Sequence, residues 1–151
     1  MMPVNRVEIG REGVEPPPWQ DRAASFAGAV LEKLEKHNWD LSVLFCGNAF
    51  IRSLNERYRN RDEATDVLSF GLGETDGERY IPGDIVISLE KLMENADYFK
   101  VSPDEELRRL LIHGILHLNG MDHAGNGEEE PMLKKQEALL EALGTERIMI
   151  D

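Results

Sequence analysis

The chain is poor in cysteine. One residue, Cys46, serves all 151 positions. No internal disulfide can form, so the fold must rest on its core, as suits the reducing cytoplasm. Basic charge is also in deficit: 17 Lys and Arg stand against 29 Asp and Glu, a net −12 at pH 7. An acidic body lacks the broad cationic surface on which non-specific nucleic-acid binding depends. No DNA partner is expected, and any contact with nucleic acid has to be local. Long apolar runs are missing too, since none approaches the roughly 20 residues of a bilayer span. The stretch from Met1 to Glu8 has no apolar core of a signal peptide. A cytoplasmic protein without a membrane partner is therefore expected. At 41% hydrophobic residues, the chain is long enough for one domain over residues 1–151 with a substantial core.

Histidine is scarce, and its placement carries the argument. Three of the four histidines, His113, His117 and His123, fall within eleven residues. On a helix His113 and His117 project from one face, one turn apart. Asn119-Gly120 ends such a helix, because glycine enters the left-handed region at little cost. The chain can then turn back and bring His123 to the same point. Three neutral imidazoles around one point suit a single zinc ion, with a fourth position open to water. A histidine-rich helix end favoured by the macrodipole explains one such residue, not three. The spacing equals that of the metzincin proteases, but their general base follows the first His directly, and here that position is Gly114. That glycine marks either close packing against a neighbouring element or room for a bulky substrate beside the metal.

Periodicity supplies the frame. Val4 to Ile9 alternates as a strand, and an amphipathic helix runs from Trp19 to about His37, which is read as surface. Leu41 to Cys46 is a short strand in which Cys46 packs as a small hydrophobe. Asn48 is placed to cap a helix that reaches about Tyr58. Arg52, Arg57, Arg59 and Arg61 then form a local cationic cluster, whose ordinary fate is a solvated face. Asp66 to Phe70 is a strand, residues 71–83 with four glycines and a proline read as a mobile loop, and Gly83 to Ser88 is another strand. Ser88 caps a helix with an apolar face of Leu89, Leu92, Met93, Ala96 and Phe99. Ser102-Pro103-Asp104-Glu105 opens the central buried helix that carries the histidine pair. A last helix spans Pro131 to Leu143. The fold expected is α+β, a single compact domain with a small mixed sheet and about five helices, the metal site lying at the end of the central helix.

Three segments together resemble a known family. They are Leu54-Asn55-Glu56-Arg57-Tyr58-Arg59 leading to Asp62, Thr65 and Asp66-Val67-Leu68-Ser69-Phe70; then Gly83 to Ser88; then His113 to His123. In this order and spacing they resemble the YbeY family of bacterial metal-dependent endoribonucleases. Ala64 and Gly71 depart from the prolines usual there. The resemblance implies an α+β fold and zinc on His113, His117 and His123. It implies a single-stranded RNA substrate and a role in maturing the 3′ end of small-subunit ribosomal RNA and in ribosome quality control. Ribosomal RNA and the small ribosomal subunit would be the partners. It also implies a functional role for the arginine at position 59.

A guanidinium suits the charge that builds on a phosphate during cleavage, and the resemblance makes Arg59 the one expected to act with the three histidines. Its alternative is a surface ion pair with Asp62 or a nearby Glu. Asp122 is placed either to accept from an imidazole N–H or to form a turn. Asp66 and Asp84 cap or brace loops, and no residue singles itself out as the general base. Two other readings stand beside the nuclease. One is a metal-dependent hydrolase of another class, such as a peptidase, against which Gly114 speaks. The other is a non-catalytic ribosome-binding module whose zinc is structural, closed by a distant carboxylate or by Cys46.

Overall fold

The computed structural model describes residues 4–121 and 131–149. Four strands, β1 (Arg6–Arg11), β2 (Asp40–Cys46), β3 (Val67–Asp76) and β4 (Arg79–Ser88), form one mixed sheet in the order β1-β2-β4-β3. β1 runs parallel to β2 and β2 to β4, while β3 returns antiparallel to β4. Five helices accompany them among the described residues: α1 (Gln20–Lys33), α2 (Asn48–Arg59), α3 (Leu89–Phe99), α4 (Pro103–Leu118) and α5 (Pro131–Ala142). The expected α+β class and mixed sheet are both present.

Strand alternation sorts the sheet into two faces. Leu41, Val43 and Phe45 of β2, with Ile85 and Ile87 of β4, join the large core built by α1, α3, α4 and α5. The residues between them, Leu44, Cys46 and Val86, face α2 through Ile51, with Phe50 and Leu54 alongside. Helix α4 is the centre of the large core. Leu107, Leu111, Ile112, Ile115 and Leu116 are all fully buried. Its start is built as the sequence indicates: Pro103 takes the first turn, and the Ser102 hydroxyl accepts from Glu105 N–H at 3.1 Å. Gly120, at φ +88°, follows its C-terminus.

Several local expectations are corrected. Residues 71–83 are not a loop but most of a β-hairpin, turned at Gly77 with φ +65°. Gly71, Gly73, Pro82 and Gly83 cluster where the pairing slips between Gly71 and Glu74. A bulge is where a strand tolerates such residues. Asn48 does not cap α2, for Gly47 holds that position without a side-chain cap. Instead Asn48 N–H donates to the Glu90 carboxylate at 2.9 Å, and its side chain accepts from the Ser88 hydroxyl at 2.6 Å. On α3, Leu92 and Ala96 are buried as expected, whereas Met93 and Phe99 stand exposed. Helix α1 ends at Lys33, and His37 is exposed beyond it.

Candidate functional site

The C-terminal turns of α4, the first residues of β3 and the end of α2 enclose one cleft. It has a volume of about 460 Å³ and is lined by His113, His117, Leu118, Gly120, Val67, Leu68, Ser69, Gly71 and Arg59. Two of the expected ligands and the expected arginine therefore converge, although more than fifty residues separate Arg59 from His113 in the chain.

His113 and His117 lie one helical turn apart, and both are half-buried. Their rings meet edge to face with centroids 4.7 Å apart, and the two Nε2 atoms approach to 3.1 Å. Two imidazole nitrogens bound at tetrahedral angles to one zinc, each at about 2.0–2.1 Å, would be separated by roughly 3.3 Å. The pair therefore fits two positions of a zinc site. His123 and Asp122 lie outside the described residues. Among those described, no group of three or more His, Cys, Asp and Glu side chains is placed to hold a metal.

Gly114 has its explanation in packing. A Cβ there would sit 2.9 Å from both Cδ1 and Cγ2 of Ile85. The glycine lets α4 settle onto β4, and the missing side chain points at the sheet rather than into the cleft. Room for substrate is not its purpose.

Arg59 escapes the surface ion pair set against it in the sequence. Asp62 is taken by Arg52, whose Nε donates at 2.7 Å. Arg59 turns the other way. Its Nη2 donates to the Ser69 carbonyl at 2.7 Å, and its guanidinium lies 5.5 Å from the centroid of Phe70. Ser69 in turn donates through its hydroxyl to the Gly114 carbonyl at 3.4 Å, tying β3 to the histidine helix. The rest of the cationic cluster divides. Arg61 pairs loosely with Glu63 at 3.8 Å, and Arg57 lies 5.9 Å from the centroid of the Tyr58 ring.

The other candidates do not line the cleft. Asp66 accepts from Val67 N–H at 2.8 Å and from the Asn95 amide at 3.0 Å, bracing the entry to β3. Asp84 is exposed on β4 opposite Phe70. Cys46 is fully buried, and burial pushes its thiol up to about 11. Such a thiol stays protonated and is a poor ligand. One residue of the site escaped the sequence reading altogether. Gln136 of α5, buried, meets His113 Nδ1 through its Oε1 at 2.6 Å. A signal was there: it is a polar residue on the apolar stripe of Met132, Leu139, Leu140 and Leu143.

The chain is similar to known proteins over most of its length. The family model for endoribonuclease YbeY matches residues 11–144. A Treponema pallidum protein named endoribonuclease YbeY is 48% identical over 148 residues, covering 93% of this chain and 91% of its own. A Treponema denticola protein of the same name is 53% identical over 133 residues, covering 83% and 86%. The solution structure of TM1509 from Thermotoga maritima superposes with a TM-score of 0.65 at 30% identity, over 92% of this chain and 90% of that one. With a matched stretch that takes in the arginine, the strand and the histidine helix together, the chain belongs to the endoribonuclease YbeY family.

Proposed function

We propose that this protein is a zinc-dependent endoribonuclease that cuts single-stranded RNA. Its place would be in maturing the 3′ end of small-subunit ribosomal RNA and in ribosome quality control, in the cytoplasm and in contact with the small subunit. The observation that carries the reading is the convergence of Arg59, His113 and His117 on one cleft, in a chain whose relatives are named endoribonucleases. His113 and His117, with His123, would hold the ion. Zinc held by these residues would supply Lewis acidity to the reaction.

The chain's own residues do the rest. Arg59 offers a planar guanidinium to a phosphate oxygen, and its Nη2 is already held by the Ser69 carbonyl, so little ordering is needed on binding. Negative charge growing on the phosphate is stabilised by that fixed donor. Arg57 and Arg59, with Arg52 and Arg61 drawn to Asp62 and Glu63, supply local attraction on an otherwise acidic surface, so few phosphates are engaged and RNA affinity has a shallow salt dependence.

The test is direct. Purified protein is incubated with single-stranded RNA, a duplex RNA and a peptide library, with and without chelator and with zinc restored. Cutting confined to single-stranded RNA, abolished by chelator and recovered with zinc, is expected. RNA cutting that persists in chelator, or cleavage of peptides, would overturn the reading.

A further inference from the structure

Behind His113 lies a chain of hydrogen bonds that ends on a charge. The Gln136 amide has two ends. Its Nε2 donates to the Glu137 carboxylate at 3.1 Å, and its Oε1 meets His113 Nδ1 at 2.6 Å. Glu137 is gripped by Arg109, whose Nε and Nη2 donate to its two oxygens at 3.0 and 3.1 Å. Arg109 is held from its other side by Glu105 and Glu106, at 3.2 and 3.4 Å.

The logic runs outward from the carboxylate. Ionised Glu137 only accepts, so the end of the Gln136 amide facing it must be the NH₂ group. The carbonyl end then faces His113, and a carbonyl also only accepts. Nδ1 of His113 must therefore carry the proton. In a neutral imidazole this leaves Nε2 unprotonated, an acceptor on the side where His117 Nε2 lies at 3.1 Å. A ligating nitrogen needs that state.

We infer that Gln136 is a positioning residue, oriented by the Arg109–Glu137 pair, that locks His113 in the tautomer able to bind metal through Nε2. The inference rests on the zinc reading only for its purpose. The tautomer itself is a property of the metal-free chain and is measured without RNA. A buried amide on α5 performs the task that a carboxylate or backbone carbonyl performs for most metal-bound histidines. Because the amide is uncharged, it fixes the proton without adding a negative charge beside the site.

The experiment uses the full chain, ¹⁵N-labelled and metal-free, at pH 8, where an ordinary imidazole is neutral. Long-range ¹H–¹⁵N correlation reports which ring nitrogen is protonated. Zinc affinity is read by competition with a chromophoric chelator. The wild-type chain is expected to show His113 solely as the Nδ1–H tautomer. Gln136→Leu should give a mixture of tautomers and weaken zinc binding by about 10- to 100-fold. Gln136→Glu, which keeps an acceptor against Nδ1, should restore both. Glu137→Ala, at a half-exposed position, leaves Gln136 in place but frees its amide to turn, and should also mix the tautomers. That variant decides the matter should Gln136→Leu fail to fold. An unmixed Nδ1–H signal in Glu137→Ala, or unchanged zinc affinity in folded Gln136→Leu, overturns the inference. RNA cutting that fails while the tautomer behaves as described would sink the nuclease reading and leave this one standing.

Discussion

Arg59 is bound to Ser69, not to a carboxylate. The 2.7 Å bond from its Nη2 to the Ser69 carbonyl spans from the last residue of α2 to β3, and Ser69 continues through its hydroxyl to Gly114 on α4. A cation that pairs with a backbone carbonyl keeps its full charge available, whereas one neutralised by Asp or Glu does not. The neighbouring arginine shows the contrast, since Arg52 spends its charge on Asp62. The α2 terminus is thus arranged to present one guanidinium to the cleft. Arg59→Ala is expected to lower the RNA cleavage rate by about 10²- to 10³-fold, the usual cost of one transition-state donor. Zinc content should be unchanged. Because Arg59 is exposed, stability should move by less than about 0.5 kcal/mol. Cleavage kinetics beside metal analysis and a thermal melt make the check, and full activity in the variant would remove Arg59 from the chemistry.

Gly114 and Ile85 form a contact whose worth can be measured. Gly114→Ala gains about 0.8–1 kcal/mol of helix propensity. It also drives a Cβ to 2.9 Å from Cδ1 and Cγ2 of a fully buried Ile85. A β-branched side chain has little rotamer freedom with which to yield. Overpacking of this kind costs about 1–3 kcal/mol, so after the propensity gain a net loss of up to about 2 kcal/mol is expected. Ile85→Ala alone should cost about 2–5 kcal/mol. In the double variant the new methyl occupies part of the vacated space, so the two losses should sum to more than the observed one. Denaturant melts of the four proteins measure this, and strict additivity would show that the close approach is not the reason for the glycine.

Acid sensitivity should trace largely to Asp104. This buried carboxylate accepts from the backbone N–H groups of Ile148 and Met149 at 2.7 and 2.8 Å and from Arg108 Nε at 2.9 Å. It thereby fastens the C-terminal segment to the start of α4. Burial pushes the carboxyl up, but the two backbone donors and the Arg108 charge outweigh it and hold the group below the usual aspartate range. A depressed folded pKa contributes stability that is present above the ordinary value of about 4 and is lost as pH falls through the folded one. Asp104→Asn, which leaves Arg108 buried without its partner, is expected to cost about 3–5 kcal/mol at pH 7. The gap between variant and wild type should narrow as pH falls below the ordinary aspartate value and the wild-type carboxyl protonates. Melting curves from pH 2.5 to 7 test this, and a gap that stays constant with pH would assign the stability to shape rather than charge.

Much of this was legible before any coordinates. The capping residues of α4 and the His113–His117 spacing are local signals, encoded within a few residues, and both appear in the fold as read. What was misread depended on pairing between distant segments. Residues 71–83 resemble a loop because Gly73, Gly77 and Pro82 are loop-like residues singly. Only the partner strand shows that they serve a bulge and a hairpin turn. Met93 and Phe99 are apolar at helical spacing, yet α3 buries a narrower stripe than its sequence offers. Gln136 was missed for a related reason. Its partner lies on another helix 23 residues away, and α5 by itself gives no reason why a core position should be polar. Helix ends and ligand pairs are written locally, whereas strand pairing and the support of a ligand are not.

Cys46 offers a clean test of whether any thiol takes part in the metal site. It is the fully buried last residue of β2, packed against Ile51 of α2 and Val86, and its sulfur donates weakly to the Ile87 carbonyl at 3.6 Å. Loss of water around the sulfur is the main reason its pKa is pushed up to about 11. A thiol of that kind is protonated at neutral pH and reached by reagents only when the chain opens. The native protein should therefore resist a thiol-reactive dye at pH 8, while denatured protein should react with one equivalent. Cys46→Ala should lose about 1 kcal/mol, the worth of one small buried apolar group, and keep its full zinc content and RNA cleavage. A zinc-protected thiol that becomes reactive when chelator is added, with the fold intact, would place sulfur on the ion. That result would favour a closed, structural zinc over an open catalytic one.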